Sequence, residues 1–174
     1  MKNYDTFTEL ACARFSVRKF SDRPVEKEKL GRILSAAQAA PSAKNCQPWS
    51  VIVLESEKAV ETVRSVTKFA FNAPTVLLIC CDASQAWVSV DGLNSAHIDS
   101  AIAATHMMLA AWDEGIGSCW IRTFRIDDVR KAFGLPENIE PMAIMPIGYA
   151  AEDAVPAKGW HDVRKPMDEI VKYL

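Results

Sequence analysis

The run TVLLICC at residues 75–81 narrows the possible folds more than any other stretch of this chain. It carries no charge, it is built from β-branched and small apolar residues, and it is too short for a buried helix. It therefore reads as a strand enclosed on both faces, which requires a covering layer on each side of its sheet.

The flanking segments supply helices. Thr6 and Glu9 have the spacing of a capping box, so a first helix begins near residue 6 and carries Phe7, Leu10 and Cys12 toward Arg14. A second follows Pro24, with Glu26 and Glu28 near its N-terminus, an apolar stripe of Leu30, Ile33, Leu34 and Ala37, and Pro41 as its stop. Residues 50–55 read as a strand and 57 to about 71 as a helix. The longest helix spans 96–114 and is apolar around most of its circumference, the mark of a helix that is enclosed or lies at a subunit interface. Gly115-Ile116-Gly117 leads into a strand, SCWI; residues 126–133 form a short helix closed by Gly134, and 142–149 form a further strand. Pro166 suits the first position of a last short helix.

Bulk composition excludes several function classes. The chain of 174 residues, 49% hydrophobic and 24% charged with a formal net charge of −2, can bury a core without staples and is read as one domain, 1–174. It has no broad basic face, so nucleic acid is not an expected partner. The N-terminus lacks the apolar core of a secretory signal, and no stretch stays apolar for the ~20 residues that a bilayer requires, so a cytoplasmic, membrane-free protein is expected. Five cysteines without C-x-x-C spacing suggest neither a disulfide framework nor a zinc site, and the three histidines are too scattered for a metal.

Two stretches carry candidate chemistry. In RFSVR, residues 14–18, an extended backbone would put Arg14, Ser16 and Arg18 on one side and Phe15 and Val17 on the other. Guanidinium, hydroxyl and guanidinium in a row suit a phosphate, since Arg offers charge-assisted, fork-shaped donors. In APSAKNCQPW, residues 40–49, the Pro-Ser and Gln-Pro pairs force turns that leave backbone polar groups facing outward, a surface for a flat heterocycle.

Together these motifs resemble the nitroreductase family of FMN-dependent oxidoreductases, which carry an R-x-S-x-R run and then a Pro-Ser…Asn-x-Gln-Pro-Trp loop. The resemblance extends to DSAIAATHMMLAAWDEGIGSCWI at 99–121 and to VRKP at 163–166. It implies an α+β, nitroreductase-like fold with a central mixed, largely antiparallel sheet flanked by helices, and a homodimer with FMN at the subunit interface. Arg14 and Ser16, joined by Arg164 and Lys165, would hold the FMN phosphate, and Arg18 would reach the pyrimidine end of the ring. Pro41, Ser42, Ala43 and Asn45 would lie against the isoalloxazine, in this family commonly from the partner subunit. Ile121 and Arg122 would approach its reactive edge, where many relatives carry Gly or Thr in place of Arg122. The polar contact that the family makes between its second helix and second strand has no clear match here, with Lys68 as the nearest candidate.

The implied reaction is a ping-pong transfer in which NADH or NADPH delivers a hydride to flavin N5 and a nitroaromatic, quinone or similar small acceptor is then reduced. No side chain need act as catalytic nucleophile, because the cofactor carries the chemistry. Reductive dehalogenation on the same fold and a non-catalytic flavin-binding dimer are the alternative readings. Outside these sets, Cys46 beside Lys44 is a candidate redox-responsive thiol, while Trp87 and Trp160 stand in loops where packing is at least as good an explanation as a pocket wall.

Overall fold

The computed structural model describes residues 4–174, arranged as helices on both faces of a four-stranded sheet. Strands β1 (Trp49–Leu54), β2 (Thr75–Asp82), β3 (Gly117–Ser118) and β4 (Ile139–Gly148) stand in the order β1-β2-β4-β3, and every ladder is antiparallel. The parallel component expected of a mixed sheet is a single bridge, Ser16 to Ser118.

β2 is interior, as its composition demands. Leu77, Ile79 and Cys81 face helices α2 (Lys27–Gln38) and α4 (Ala96–Asp113), while Val76, Leu78 and Cys80 face α3 (Glu57–Val66) and α5 (Ile126–Phe133). Alternation along one strand thus feeds two cores. Burial in these cores pushes the Cys80 thiol up to about 12 and the Cys81 thiol up to about 11, so both are inert apolar packing groups.

The ladder between β2 and β4 shifts register between Ile79 and Cys80. Ile79 pairs Ala143 and Cys80 pairs Pro141, so Met142 is an extra residue, and it buries on the same side as Ala143.

Two elements end earlier than their sequences suggest. Of the run SCWI only Ser118 lies in the two-residue β3, and a separate bridge between Ile121 and Ile144 follows. The interruption faces Pro146: Cys119 N–H donates to the Pro146 carbonyl at 3.2 Å, but Pro146 has no N–H to return. Helix α3 stops at Val66 because Thr67 turns extended, donating its hydroxyl to the Thr123 carbonyl and accepting from the Phe69 amide. Phe71 and Asn72 then adopt left-handed φ and turn the chain into β2.

At the N-terminus, Thr6 caps α1 (Phe7–Ala13) by accepting from the Glu9 amide, while the Glu9 carboxylate accepts from Asp5 N–H. Glu26, at the N-cap of α2, makes no cap bond. Its carboxylate accepts from the Tyr149 hydroxyl at 2.7 Å and from Arg23 at 2.5 Å, and these bonds, the tyrosine's first, draw it down to about 2 from an ordinary 4.5. A lowered carboxylate stabilises the fold above its unfolded value and loses that contribution as pH falls toward its folded value. Tyr149→Phe is therefore expected to shrink the acid-induced loss of stability between pH 4.5 and about 2, read as a smaller fall in the urea midpoint than the parent shows.

Candidate functional site

After α1 the chain runs extended from Arg14 to Phe20 along the free edge of β3. The Val17 amide donates to the Ser118 carbonyl at 2.9 Å, Ser21 N–H donates to the Tyr149 carbonyl, and Phe20 bridges Ala150. Val17 is fully buried, and Phe15 packs edge-on against Trp112 with ring centroids 5.1 Å apart. Val17 turns inward, and Arg14, Ser16 and Arg18 open onto one cleft of about 180 Å³ that Phe15, Ala157, Trp160, His161 and Arg164 complete.

The electrostatics of this cleft are one-sided. Among the described residues Arg14, Arg18 and Arg164 have no carboxylate in ion-pair range. Arg14 is held below its ordinary value by burial first and by the nearby Arg164 guanidinium second, so the two cations repel. Arg164 donates to the carbonyls of Trp160 and Val163, and Arg18 donates to the Ser16 carbonyl with its guanidinium 5.5 Å from the Trp160 ring centre. Beneath them the Cys119 thiol is buried and pushed up by desolvation, against the opposing pull of Arg18, of a Ser16 hydrogen bond and of Arg14. Several donors around a space that no carboxylate of the described residues lines could hold an anion such as a phosphate. A larger cavity of about 300 Å³ lies on the other side of Phe15, but aromatic and small residues line it and no charged group enters it.

The second motif lies elsewhere. After α2, Ser42 leads into a 3₁₀ turn, Ala43–Asn45, in which Lys44 and Asn45 have φ of 53° and 56°, with Gln47 following at 49°. A left-handed φ costs residues such as Lys44 and Gln47 about 1–2 kcal/mol each, and one hydrogen bond from α4 and two within the loop oppose that cost. Ala43 N–H donates to Asp99 Oδ1 at 3.1 Å, Gln47 N–H donates to Ser42 Oγ, and the Gln47 amide donates to the Asn45 carbonyl.

Strand register separates the two motifs. The loop enters β1 at Trp49, opposite Cys81, whereas Ser118 pairs Ile147, which pairs Thr75 at the far end of β2. Six residues along a strand and three strand spacings across place them roughly 25 Å apart. Ile121 and Arg122 fall between: Ile121 is buried against Ile144 at mid-sheet, and the exposed Arg122 guanidinium lies 4.9 Å from the Phe124 ring centre.

Of the residues singled out by sequence, the cleft gathers Arg14, Ser16, Arg18 and Arg164, and Arg18 sits in the same cleft as Arg14. Lys165 is exposed and outside its lining. Pro41, Ser42, Ala43 and Asn45 form the distant loop, and Lys68 lies against Phe69, next to the Thr67–Thr123 contact. Trp160, left by the sequence between packing and a pocket wall, is a cleft wall, while sequence reasoning missed Phe15 and His161 as cleft walls and Asp99 as the anchor of the loop. The signal for His161 is its position three residues before Arg164; an isolated Asp in an apolar helix is the signal for Asp99.

Among the described residues no group of three or more His, Cys, Asp or Glu side chains is placed to hold a metal ion. No helix of the described residues is long and apolar enough to cross a membrane.

The chain matches the model of the nitroreductase family over residues 11–68 and 65–149. It is 32% identical over 152 residues to a Methanothermobacter thermautotrophicus protein provisionally named an NADH dehydrogenase/NAD(P)H nitroreductase, covering 80% of this chain and 75% of that one. The crystal structure of a nitroreductase family protein from Clostridium difficile 630 superposes with a TM-score of 0.90 at 36% identity, covering 97% of this chain and 98% of the other. A protein from Exiguobacterium sibiricum, solved in complex with FMN, shares the fold with a TM-score of 0.85 at 23% identity, covering 99% of each chain. The R-x-S-x-R strand beside the C-terminal Arg164, the Pro-Ser loop, the antiparallel sheet and these matches agree, and the chain belongs to the nitroreductase family.

Proposed function

We propose that this protein is an FMN-dependent NAD(P)H oxidoreductase that works as a homodimer. One observation carries the reading: Arg14, Ser16, Arg18 and Arg164, drawn from opposite ends of the chain, share a cleft that contains no counter-charge. A phosphate dianion would relieve the repulsion between Arg14 and Arg164, so these residues fit the FMN headgroup. When bound, FMN supplies two-electron hydride chemistry between a reduced nicotinamide and an acceptor such as a nitroaromatic or quinone.

The chain's own part is to bind and orient. Arg14, Ser16 and Arg164 hold the phosphate at the β3 end of the sheet. Ile121 and Arg122 lie toward mid-sheet, on the side where the ring would extend. The Pro41–Asn45 loop, roughly 25 Å from the cleft by strand register, serves the site of a second copy. Exposed Ile98 on α4, together with Val163, Met167 and Ile170 in and before α6 (Met167–Ile170), supplies apolar surface for that copy to cover.

Anaerobic mixing of the FMN-loaded protein with NADH and with NADPH tests the reading. Rapid loss of the oxidised flavin absorbance with at least one nucleotide, and its return on adding a quinone, is the expected result. Bound flavin that neither nucleotide reduces would overturn the reductase assignment.

A further inference from the structure

We propose that Asp99 is a positioning residue that holds the Pro41–Asn45 loop in its flavin-facing shape, a role resting on the function proposed above. Asp99 is 2% exposed, yet it sits on the fourth residue of α4 with both carboxylate oxygens engaged. Oδ1 accepts from the Ala43 amide at 3.1 Å, and Oδ2 accepts from the Ser95 hydroxyl at 2.7 Å. Ser95 is itself buried, and its amide donates to the Trp87 carbonyl at 2.9 Å. One carboxylate thus ties the loop to α4 and, through Ser95, to the hairpin at 87–94, where Ser89 N–H donates to the Leu93 carbonyl and Gly92 N–H to that of Ser89.

A buried carboxylate survives only where donors compensate it, and the first turn of an α-helix adds a favourable dipole. Here one of those donors is a backbone amide at the start of a segment with three residues in left-handed conformation. Without that anchor the segment's preferred state is a relaxed one. Ala43 N–H is the point where the strain is opposed from the scaffold, since the loop's other hydrogen bonds run within the loop itself. The Pro-Ser-Ala face is rigid because Asp99 makes it so.

The test compares Asp99→Ala, Asp99→Asn and Ala43→Pro. Asparagine keeps an acceptor for Ala43 in the same volume. Proline at 43 removes only the donor, and it is tolerated because Ser42 is extended (φ −142°, ψ 158°) and Ala43 opens the 3₁₀ turn. The readout is amide hydrogen exchange in flavin-free protein at Asn45 and Cys46, whose N–H groups donate to the Ser42 and Ala43 carbonyls. Asp99→Ala and Ala43→Pro should speed exchange at both by about ten- to a hundredfold, the loss of one charge-assisted bond, while β2 amides keep the parent rate. Asp99→Asn should restore most of the protection.

The same two loosening variants should weaken FMN and riboflavin by one common factor, because the defect lies on the ring side and not at the phosphate. Parent-like exchange at Asn45 and Cys46 in Asp99→Ala overturns the proposal. Should Asp99→Ala fail to fold, parent-like exchange in Ala43→Pro overturns it equally. If the parent binds neither flavin, the flavin reading fails, while the exchange measurements still decide what Asp99 does to the loop.

Discussion

Arg14→Ala is expected to lower FMN affinity by about a hundredfold or more while leaving riboflavin, which has no phosphate, bound as in the parent. Removing one partner of a desolvated charge pair typically costs 2–5 kcal/mol, and Arg14 is the half-buried member of its cluster. The ligand-free protein should behave in the opposite sense. Arg14 and Arg164 repel each other without an anion between them to offset it, so in flavin-free protein the substitution removes an unfavourable interaction and should leave the melting temperature unchanged or raised. Flavin fluorescence titrations with FMN and riboflavin, beside thermal melts with and without FMN, check both halves. Equal FMN affinity in the variant and the parent would refute the phosphate assignment.

Gly117→Ala should damage fold and site together. A Cβ built on Gly117 lies 2.5 Å from Val17 Cγ2 and 2.9 Å from Val17 Cβ, closer than packed carbons come. Val17 is fully buried and bonded through its backbone to Ser118, so it has no free direction in which to retreat. Overpacking of this kind costs about 1–3 kcal/mol, which for a domain of this size lowers the melting temperature by roughly 3–10 °C. Relief requires the 14–18 strand to lift from β3, which carries Ser16 and both arginines with it, so FMN affinity should fall in parallel. Val17→Ala in the same chain should recover part of both losses, a coupling that a double-mutant cycle measures. Parent-like melting and FMN binding in Gly117→Ala would show that the strand is not held where it stands.

Much of this architecture was legible before any coordinates. TVLLICC is interior because an uncharged strand with both faces apolar has nowhere else to go, and helices α2, α4 and α5 stand within a few residues of where their apolar patterns and stop signals put them. The alternation in RFSVR placed two arginines and a serine opposite a phenylalanine and a valine; Val17 is buried and the arginines face the cleft, but Phe15 lines that cleft too. The misreadings have causes that lie outside the segments concerned. SCWI has strand composition throughout, but its ladder breaks at a proline in the neighbouring strand. The helix after Glu57 has helical character to Phe71, but the Thr67 hydroxyl finds Thr123, 56 residues away, and ends it.

What the sequence by itself determined is the set of elements and the chemistry each one offers, because caps, periodicity and donor spacing act over a few residues and need no partner. Only the tertiary structure decided that Arg14 meets Arg164 across 150 positions of chain and that Ala43 hangs from Asp99. It also decided that the R-x-S-x-R and Pro-Ser motifs stand at opposite ends of one sheet. Those outcomes follow from which strands pair in which register, and register is set when whole faces are buried together, a property of the packed chain that no short segment contains.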